Sequence, residues 1–529
     1  MISADIATLD GVIIGAYALM MLFIGVLFAK KGGDADSYFL AGRSMTWGII
    51  GFSLFASNIS STTLVGLSGS AYSTGIAVYN YEWMAGVILV FYAIFVLPQV
   101  LRAQVYTMPE YLERRYDRRA RTLFAALTLF LNIVIDTAGG LYAGSLVIQL
   151  IFPDFSIWQI VAALAVIAGA YTILGGLSAV MITDTIQAVL LLIGAVLISY
   201  FAFQKVGGHW STIVDAVPPD MLSLVRPLDS PGVPWLGLLT GVPLLGFYFW
   251  CTNQFMAQRL LASKNADHAR WGSLFAGLLK LPVLFIMVLP GTIAILLYPN
   301  LDKPDAVFPT LMFDLLPSGV LGLVIAGFMA ALMSQIDSTL NSASTLVTMD
   351  FIRLRRPDLT SNQLMKIGRI VTFVFIVLAV LWAPQIGKMN DSIFEYLQAV
   401  LSYTVGPVVA LFLWGTFWHR ANAEGAYWGL IVGFVLGTVF FILNVIMRVT
   451  NVHFLYVAPL LFVAASIVLC FVSLKTSAPE ADEVDAFIWT PSSYRSDVAH
   501  MKGQAWYQDY RLLSVGLLGL CAWIVITFW

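Results

Sequence analysis

Long apolar runs separated by short polar stretches repeat along the whole chain. About fourteen of these runs approach the roughly 20 apolar residues that a membrane-spanning helix needs. They start near residues 8, 47, 79, 121, 157, 179, 235, 271, 318, 363, 391, 424, 453 and 509. The pattern predicts an all-α integral membrane protein with about 14 transmembrane helices in a single domain, residues 1–529.

The composition agrees with a bilayer as the solvent. Of the 529 residues, 59% are hydrophobic and 11% are charged, whereas soluble domains carry about 25% charged residues. With a net charge of −2 we expect no nucleic-acid partner. The first apolar run, 8–29, is followed rather than preceded by Lys30 and Lys31, so we predict a retained span instead of a signal peptide.

Lysine and arginine residues are unevenly divided between alternate loops. With the N-terminus placed outside, the inward loops hold 21 of them and the outward loops hold five. Since basic residues favour the cytoplasmic side, we predict a multi-pass protein of the plasma (inner) membrane with both termini extracytoplasmic. The acidic stretch 475–508 is expected to be an extramembrane connector.

Two of the apolar runs are interrupted by polar residues. Residues 57–63 (SNISSTT) contain six polar residues in seven positions, and residues 247–254 (FYFWCTNQ) form the second interruption. Such side chains compete for backbone hydrogen bonds, so both runs are predicted to be broken helices. Each opens a block of five runs, about 47–205 and 235–418, and a five-helix repeat inverts its second copy as many secondary transporters do. The runs 8–29, 424–448, 453–474 and 509–528 would then be peripheral helices.

Ionisable residues inside the apolar runs are few and mostly acidic. A charge at mid-bilayer costs at least about 3 kcal/mol, so each must pair, be neutralised or bind an ion. Five acids against one base favour a cation, either sodium or a proton. We expect Glu395 at headgroup level, whereas Asp184, Asp337 and Lys280 lie deeper and are expected to serve an ion or solute. The six residues are Glu82, Asp136, Asp184, Lys280, Asp337 and Glu395.

The apolar run near 318 carries the best oxygen-rich stripe of the chain. Ser334, Asp337, Ser338 and Asn341 follow the spacing i, i+3, i+4, i+7, which places them on one helix face. Hydroxyl, amide and carboxylate oxygens suit a hard cation such as sodium, especially beside the free carbonyls of a broken helix.

Several short stretches together resemble the sodium/glucose cotransporter branch of the solute:sodium symporter family. They are residues 36–43 (DSYFLAGR), 56–60 (ASNIS), 81–83 (YEW), 175–180 (GGLSAV), 183–184 (TD), 258–259 (QR), 279–282 (LKLP) and 340–345 (LNSAST). The resemblance runs from the first span to the final Phe528 and Trp529. It implies a LeuT-type five-plus-five inverted repeat, alternating access and Na+ as the coupled ion.

The resemblance also implies a sodium site where the first broken helix meets the eighth core helix. The implied ligands are the backbone carbonyls of Ala56, Ile59 and Ala331, the hydroxyl of Ser334 and the amide oxygen of Gln335. Gln335 stands where a second Ser is usual in the family.

Some family members bind a second cation near the position of Asp184 and a pair of hydroxyls. In this chain the hydroxyl positions read Asp337 and Ser338. The extra carboxylate would strengthen a second cation site or hold a proton, so the sequence leaves the number of coupled ions open.

A polyol site is implied by further matching positions. Amides and carboxylates accept from hydroxyls, a lysine donates, and an aromatic ring covers an apolar ring face. The substrate-binding candidates are Asn58, Thr63, Glu82, Asp136, Phe249, Trp250, Lys280 and Gln398, with Leu67 and Phe394 as gate residues.

Four positions depart from the family pattern. Thr63 replaces a Gln or His, Gly246 a polar residue, Phe249 a tyrosine, and Asp136 an Asn or Lys. Gly246 leaves space, and the carboxylate of Asp136 disfavours an anionic substrate unless Lys280 or sodium offsets it. The departures widen the range of possible solutes.

The sequence therefore predicts a sodium-coupled symporter that imports a monosaccharide or related polyol. Another small solute is the alternative: an inositol, sialic acid or another organic acid, although sialic acid would call for a second base beside Lys280. An enzyme is not expected, because the five histidines lie in loops or at span ends; downhill sodium flux without solute would indicate a channel. The expected partners are the polar solute and the lipid bilayer, and no obligate protein partner is indicated.

Overall fold

A computed structural model describes residues 6–29, 35–386, 393–501 and 505–529. Within these ranges the chain is helical, and the only extended pairings are two isolated bridges, Met45 with Ser263 and Arg226 with Pro234. The predicted all-α architecture is confirmed. Four of the basic residues used to predict the orientation, Lys30, Lys31, Lys388 and Lys502, lie outside the described residues.

Ten helical segments in the described ranges are long and apolar enough to cross a membrane. They are Ser61–Phe95, Arg118–Ile151, Leu177–Lys205, Trp235–Thr252, Ala266–Leu297, Val320–Arg355, Ser361–Ile386, Ala423–Ile446, Phe454–Lys475 and Tyr510–Thr527. The pair Ile393–Ser402 and Gly406–Phe417, bent by 52°, makes an eleventh. The predicted total of 14 is not reached by this criterion, because the helix Trp47–Asn58 is short and Thr8–Met21 and Ile157–Gly169 are shorter apolar segments.

The two runs predicted to start near 157 and 179 lie in one helical stretch, Ile157–Lys205, whose apolar halves are Ile157–Gly169 and Leu177–Lys205. Its N-terminus is set by a capping box between Ser156 and Gln159, which satisfies backbone N–H groups that have no partner within the helix. The two halves lie side by side rather than end to end. Ile160 lines a cavity with Ile325, and an added Cβ at Gly194 would lie 3.6 Å from the Val324 Cα, whereas a straight helix from 160 to 194 would span about 51 Å. The stretch therefore turns back on itself, in agreement with the two runs that hydropathy marks.

Both predicted helix breaks are present. The helix Trp47–Asn58 ends at Ile59, whose φ of −82° and ψ of 88° are not helical, and Ser61–Thr74 follows; these two helices form the first broken helix. The second broken helix consists of Trp235–Phe247, a π-helical segment Tyr248–Thr252, and Gln254–Leu261. Asn253, with a ψ of 129°, separates its last two parts and caps Gln254–Leu261.

The helix Val320–Leu346 lies at the centre of the bundle and is called the central helix below. In the apolar window of Val320–Arg355 83% of the residues are buried, against 22% in that of Ala423–Ile446. The central helix packs against Ile157–Lys205 and against the first broken helix. Because it has no lipid-facing side along most of its length, its polar stripe lies inside the protein.

The predicted connector 475–508 folds against the ends of the bundle. It contains the short helices Ala481–Val484 and Pro491–His500. The carboxylate of Asp497 lies 2.6 Å from the Arg270 guanidinium and 3.5 Å from that of Arg102. These ion pairs attach the connector to two of the basic loops.

Candidate functional site

The break in the first broken helix leaves backbone oxygens without donors. Among the described residues, no backbone N–H donates to the carbonyls of Ala56 or Ile59. The amide N–H of Thr63, which would reach Ile59 in a continuous helix, donates instead to the Ser60 hydroxyl at 3.2 Å. The break therefore exposes two of the carbonyls that the sequence assigned to sodium, at a helix end whose partial negative charge attracts cations.

Thr63, predicted to contact the solute, also forms hydrogen bonds across the break in the first broken helix. Its hydroxyl donates to the Asn58 carbonyl at 2.8 Å and lies 3.1 Å from the Ser60 hydroxyl. These bonds hold the second half of the helix against the first, so Thr63 fixes the shape of the break while also lining the central cavity.

Ser334 and Gln335 are brought close to the break by the central helix. The Ser334 hydroxyl donates to the Asp184 carboxylate at 2.5 Å, leaving its lone pairs to act as acceptors. The amide oxygen of Gln335 is buried without a hydrogen-bond partner among the described residues. Ala331 lies inside the regular helix Val320–Leu346, so its carbonyl has a second lone pair to offer rather than a free helix end.

The Asp184 carboxylate forms a buried ion pair with Arg259. The two charged groups are 2.9 Å apart, with side chains 0% and 1% exposed. Ser53 donates to the same carboxylate at 2.6 Å and Ser57 at 3.3 Å. The Arg259 guanidinium also donates to the Ser338 hydroxyl. The predicted second cation site thus contains a cation that belongs to the protein.

Arg259 is a functional residue that the sequence analysis missed. It was counted as a loop residue of the inward face, yet it is fully buried between the two broken helices. A base was needed to balance the acids in the apolar runs, and Arg259 follows the break at Asn253 by six residues. The expectation that Asp184 serves an ion or solute rather than an ion pair is corrected accordingly. Asp337, the third predicted member, is buried and lies 3.2 Å from the Ser338 hydroxyl.

A central cavity of about 100 Å³ lies beside the break. It brings together most of the predicted solute-binding side chains from both broken helices and their neighbours. Its lining includes Asn58, Thr63, Tyr81, Glu82, Asp136, Gly246, Phe249, Trp250, Gln335, Phe394 and Gln398. Polar and aromatic groups facing one enclosed space are typical of a site for a small polar solute.

Lys280 lies behind this cavity in a fully buried position. Its ammonium donates to the Glu82 carboxylate at 2.5 Å and to the Asn58 amide oxygen. It also lies 5.5 Å from the centre of the Trp250 ring, within the range of a cation–π contact. Lys280 was expected to serve the solute rather than an ion pair, but the structure pairs it with Glu82. Asn58 and Glu82, which Lys280 contacts, line the cavity, whereas Lys280 itself lies behind them.

The remaining solute candidates come from distorted helix turns. Asp136 lies in the π-helical segment Asn132–Thr137, and Phe249 and Trp250 lie in Tyr248–Thr252. π-Helical turns inside α-helices occur frequently at functional sites because they redirect side chains. Asp136 forms no hydrogen bond or ion pair within the part of the chain that the structure describes.

The two predicted gate residues lie on opposite helices. Leu67 is fully buried in the second half of the first broken helix, and Phe394 closes over the cavity. The Phe394 ring packs edge-on against Tyr81 with centroids 5.4 Å apart. An added Cβ at Gly66 would lie 2.7 Å from the Phe394 Cβ, so this ring approaches the helix backbone directly. Glu395, next to it, is exposed as expected.

An all-helical membrane bundle with two broken helices around a polar central cavity defines a secondary transporter. The chain belongs to the sodium:solute symporter family, whose model matches residues 38–433. It is a multi-pass membrane protein of LeuT-type fold, and sodium is its coupling ion.

Curated relatives cover nearly the whole chain. Sodium/glucose cotransporter 4 of Danio rerio is 34% identical, over 93% of this chain and 82% of its own length. Sodium/myo-inositol cotransporter 2 of Oryctolagus cuniculus is 35% identical, over 91% of this chain and 78% of its own length.

Solved structures agree with the fold. A Na+-coupled sialic acid symporter in a substrate-bound, outward-open state has a TM-score of 0.78 at 25% identity, covering 90% of this chain and 100% of that chain. A nucleobase-cation-symport-1 family transporter in a closed conformation has a TM-score of 0.56 at 16% identity, covering 86% of this chain and 98% of its own. The second likeness shows the fold alone.

Proposed function

We propose that this protein imports a monosaccharide or related polyol together with sodium by alternating access. The main support for the proposal is that the proposed sodium ligands and the solute cavity adjoin each other at the break in the first broken helix. Asn58 accepts from Lys280 at the wall of the cavity, and the carbonyls of Ala56 and Ile59, beside it in the chain, have no backbone donor among the described residues. An ion at the break therefore fixes the residue that a solute would contact.

The sodium ligands in this proposal are Ala56, Ile59, Ala331, Ser334 and Gln335. Their support is the pair of free carbonyls at the break, the acceptor lone pairs of Ser334 and the unpartnered amide oxygen of Gln335. Oxygen ligands from a helix break and a facing helix suit a hard cation. Binding of sodium would fix the first broken helix against the central helix and complete the solute site.

One sodium ion per solute is the stoichiometry we propose. The buried pair of Asp184 and Arg259 supports it, because the guanidinium already supplies a positive charge where a second cation would bind. One ion is also sufficient in energy. The membrane potential contributes about 2.3 kcal/mol per charge per 100 mV and a tenfold sodium gradient about 1.4 kcal/mol, enough for a solute ratio of roughly several hundredfold.

The solute class follows from the groups that line the cavity. Amide oxygens and a carboxylate at Asn58, Gln398 and Glu82 accept hydrogen bonds from hydroxyl groups, and the rings of Phe249 and Trp250 offer apolar faces. The sugar and inositol cotransporters among the relatives agree with this chemistry. An anionic solute such as sialic acid is disfavoured, because Lys280 is committed to Glu82.

The proposed location and orientation follow from the uneven division of lysine and arginine residues between alternate loops. The protein would lie in the plasma (inner) membrane with both termini extracytoplasmic, and the two broken helices would open inverted repeats at about 47–205 and 235–418. Accessibility labelling of single cysteines placed at Asp154 and at Arg355, exposed positions that this orientation puts on opposite faces, tests it.

A binding panel on the purified protein tests the solute class. Glucose, galactose, myo-inositol, sialic acid and proline would each be added in sodium and in potassium, and the shift in thermal unfolding recorded. We expect neutral polyols to raise the unfolding temperature only in sodium. A sodium-dependent shift with sialic acid or proline alone would overturn the polyol assignment.

A further inference from the structure

Asp136 is a carboxylate that lines the central cavity. It is partly buried, lines the same space as Asn58 and Glu82, and makes no hydrogen bond or ion pair among the described residues. Each of the other acids in this region has a contact: Glu82 pairs with Lys280, and Asp184 with Arg259.

The charges of the cavity wall do not balance among the described residues. Two carboxylates, Glu82 and Asp136, line the cavity, and of these two Lys280 contacts only Glu82. The proposed sodium ligands do not include Asp136. Since an uncompensated charge in a water-poor site is costly, a cation near Asp136 would stabilise the loaded transporter.

The walls of the cavity that Asp136 lines suit an ammonium group better than a second metal ion. Tyr81, Phe249 and Phe394 line the cavity with aromatic rings, whose faces attract organic cations. The Asp136 carboxylate stands on one helix, whereas the hydroxyl-accepting amides of Asn58 and Gln398 stand on others. A solute that spans the cavity can therefore meet a carboxylate and hydroxyl acceptors at the same time.

We propose that the transported solute is a hydroxylated amine, such as an amino sugar, whose protonated amine binds Asp136. This inference rests on the polyol symport proposed above and specifies its substrate class. The ammonium donates to Asp136 while the hydroxyl groups donate to Asn58, Glu82 and Gln398. The ammonium then supplies a positive charge to Asp136, which none of the described residues pairs with.

Binding of glucosamine, glucose, N-acetylglucosamine and glucuronate in sodium tests this assignment. We expect the wild-type protein to bind glucosamine at least tenfold more tightly than glucose or N-acetylglucosamine, with glucuronate weakest. Equal binding of glucosamine and glucose in the wild type would overturn the inference by itself, without any variant. Neutral polyol binding would still be present in that case, so the proposed function would stand.

Asp136→Asn tests the residue, because the amide keeps the shape of the carboxylate and removes its charge. Its unfolding temperature without solute reports that the variant is folded, and Asp154→Asn, in an exposed loop, is the matched control. We expect the preference for glucosamine to disappear in Asp136→Asn and to persist in Asp154→Asn. An undiminished preference in Asp136→Asn would overturn the assignment, and a panel with no sodium-dependent binder would overturn the proposed function together with it.

Discussion

The guanidinium of Arg259 lies 2.9 Å from the carboxylate of Asp184, and both side chains are buried at the junction of the two broken helices and the central helix. Arg259, near the end of the second broken helix, donates to Ser53 of the first broken helix and to Ser338 of the central helix. The Arg259 guanidinium therefore lies close to the proposed sodium ligands: it pairs with Asp184, and Asp184 accepts a hydrogen bond from the proposed ligand Ser334.

Arg259→Gln removes this cation and leaves Asp184 buried without its counter-charge. Breaking one side of a buried ion pair costs about 3–5 kcal/mol, so we expect a lower unfolding temperature and loss of sodium-driven uptake. The double variant Asp184→Asn with Arg259→Gln should recover part of the stability, because it leaves no charge unpaired. Thermal unfolding in detergent measures both, and a double variant less stable than Arg259→Gln would contradict a direct pairing.

Ser334→Ala removes a proposed sodium ligand while leaving the helix intact. We expect the sodium concentration for half-maximal solute uptake to rise about tenfold or more, equivalent to about 1.4 kcal/mol. Ser73→Ala is the matched control, because Ser73 donates only to its own helix at the Gly69 carbonyl. An unchanged sodium dependence in Ser334→Ala would remove this residue from the site.

Gly140→Ala tests the role of the Gln335 amide. An added Cβ at position 140 would lie 2.7 Å from the Gln335 side-chain oxygen, so the amide must move. At Gly144 an added Cβ would instead meet the Leu332 side chain at 2.5 Å. We expect Gly140→Ala to raise the half-maximal sodium concentration and Gly144→Ala to leave it unchanged, although both lower stability. Equal sodium dependence in the two variants would contradict a ligand role for Gln335.

Lys280→Met tests the wall of the solute cavity. The change leaves Glu82 and Asn58 without the ammonium that orients them, so solute uptake should fall at least tenfold. Sodium binding, measured as a thermal shift without solute, should remain. Lys264→Met, at an exposed position, serves as the control. Solute uptake at the wild-type rate in Lys280→Met would exclude a role for this pairing in transport.

His453 gives the protein a pH-dependent stability outside the membrane-spanning helices. Burial lowers the pKa of His453 below its ordinary value. One ring nitrogen accepts from the Leu455 N–H at 3.2 Å and the other lies 3.1 Å from the Pro231 carbonyl, an arrangement that requires the neutral ring. Stability is then complete above about pH 6.5, where the unfolded histidine is neutral, and is lost as the pH falls toward the lower folded pKa.

His453→Asn checks this pH effect, because asparagine can cap the helix Phe454–Lys475 without titrating. The unfolding temperature of the wild type should drop between pH 7.5 and pH 5 by more than that of the variant, at constant sodium. Identical drops would show that His453 does not contribute to the pH dependence.

The helix breaks were predictable because their cause is local. Ser60 and Asn253 each offer an oxygen to nearby backbone N–H groups, and the density of polar residues around them shows in the sequence. The central helix was predictable for a similar reason, since its buried stripe repeats with helical spacing. The two runs within Ile157–Lys205 were separable because Gly175 and Gly176 interrupt the apolar sequence between them.

The pairings of the buried charged residues could not be predicted from the sequence, because they depend on contacts between distant segments. Asp184 and Arg259 are 75 positions apart, and Glu82 and Lys280 are 198 positions apart. Arg259 in particular looked like a loop residue because it ends a polar stretch near Lys264. The proposed cation site and the solute site were predicted from family resemblance. Only the structure shows that Asn58 and Ser334 bring the two regions together.

Sodium-gradient-driven uptake of labelled glucosamine and glucose into proteoliposomes, with wild type and Ser334→Ala compared side by side, tests the coupling of the two sites most directly. The account predicts that an inward sodium gradient concentrates solute above its external level in the wild type. Replacing external sodium with potassium should abolish this accumulation, and Ser334→Ala should require about tenfold more sodium. Accumulation that is equal in potassium and in sodium would contradict the account.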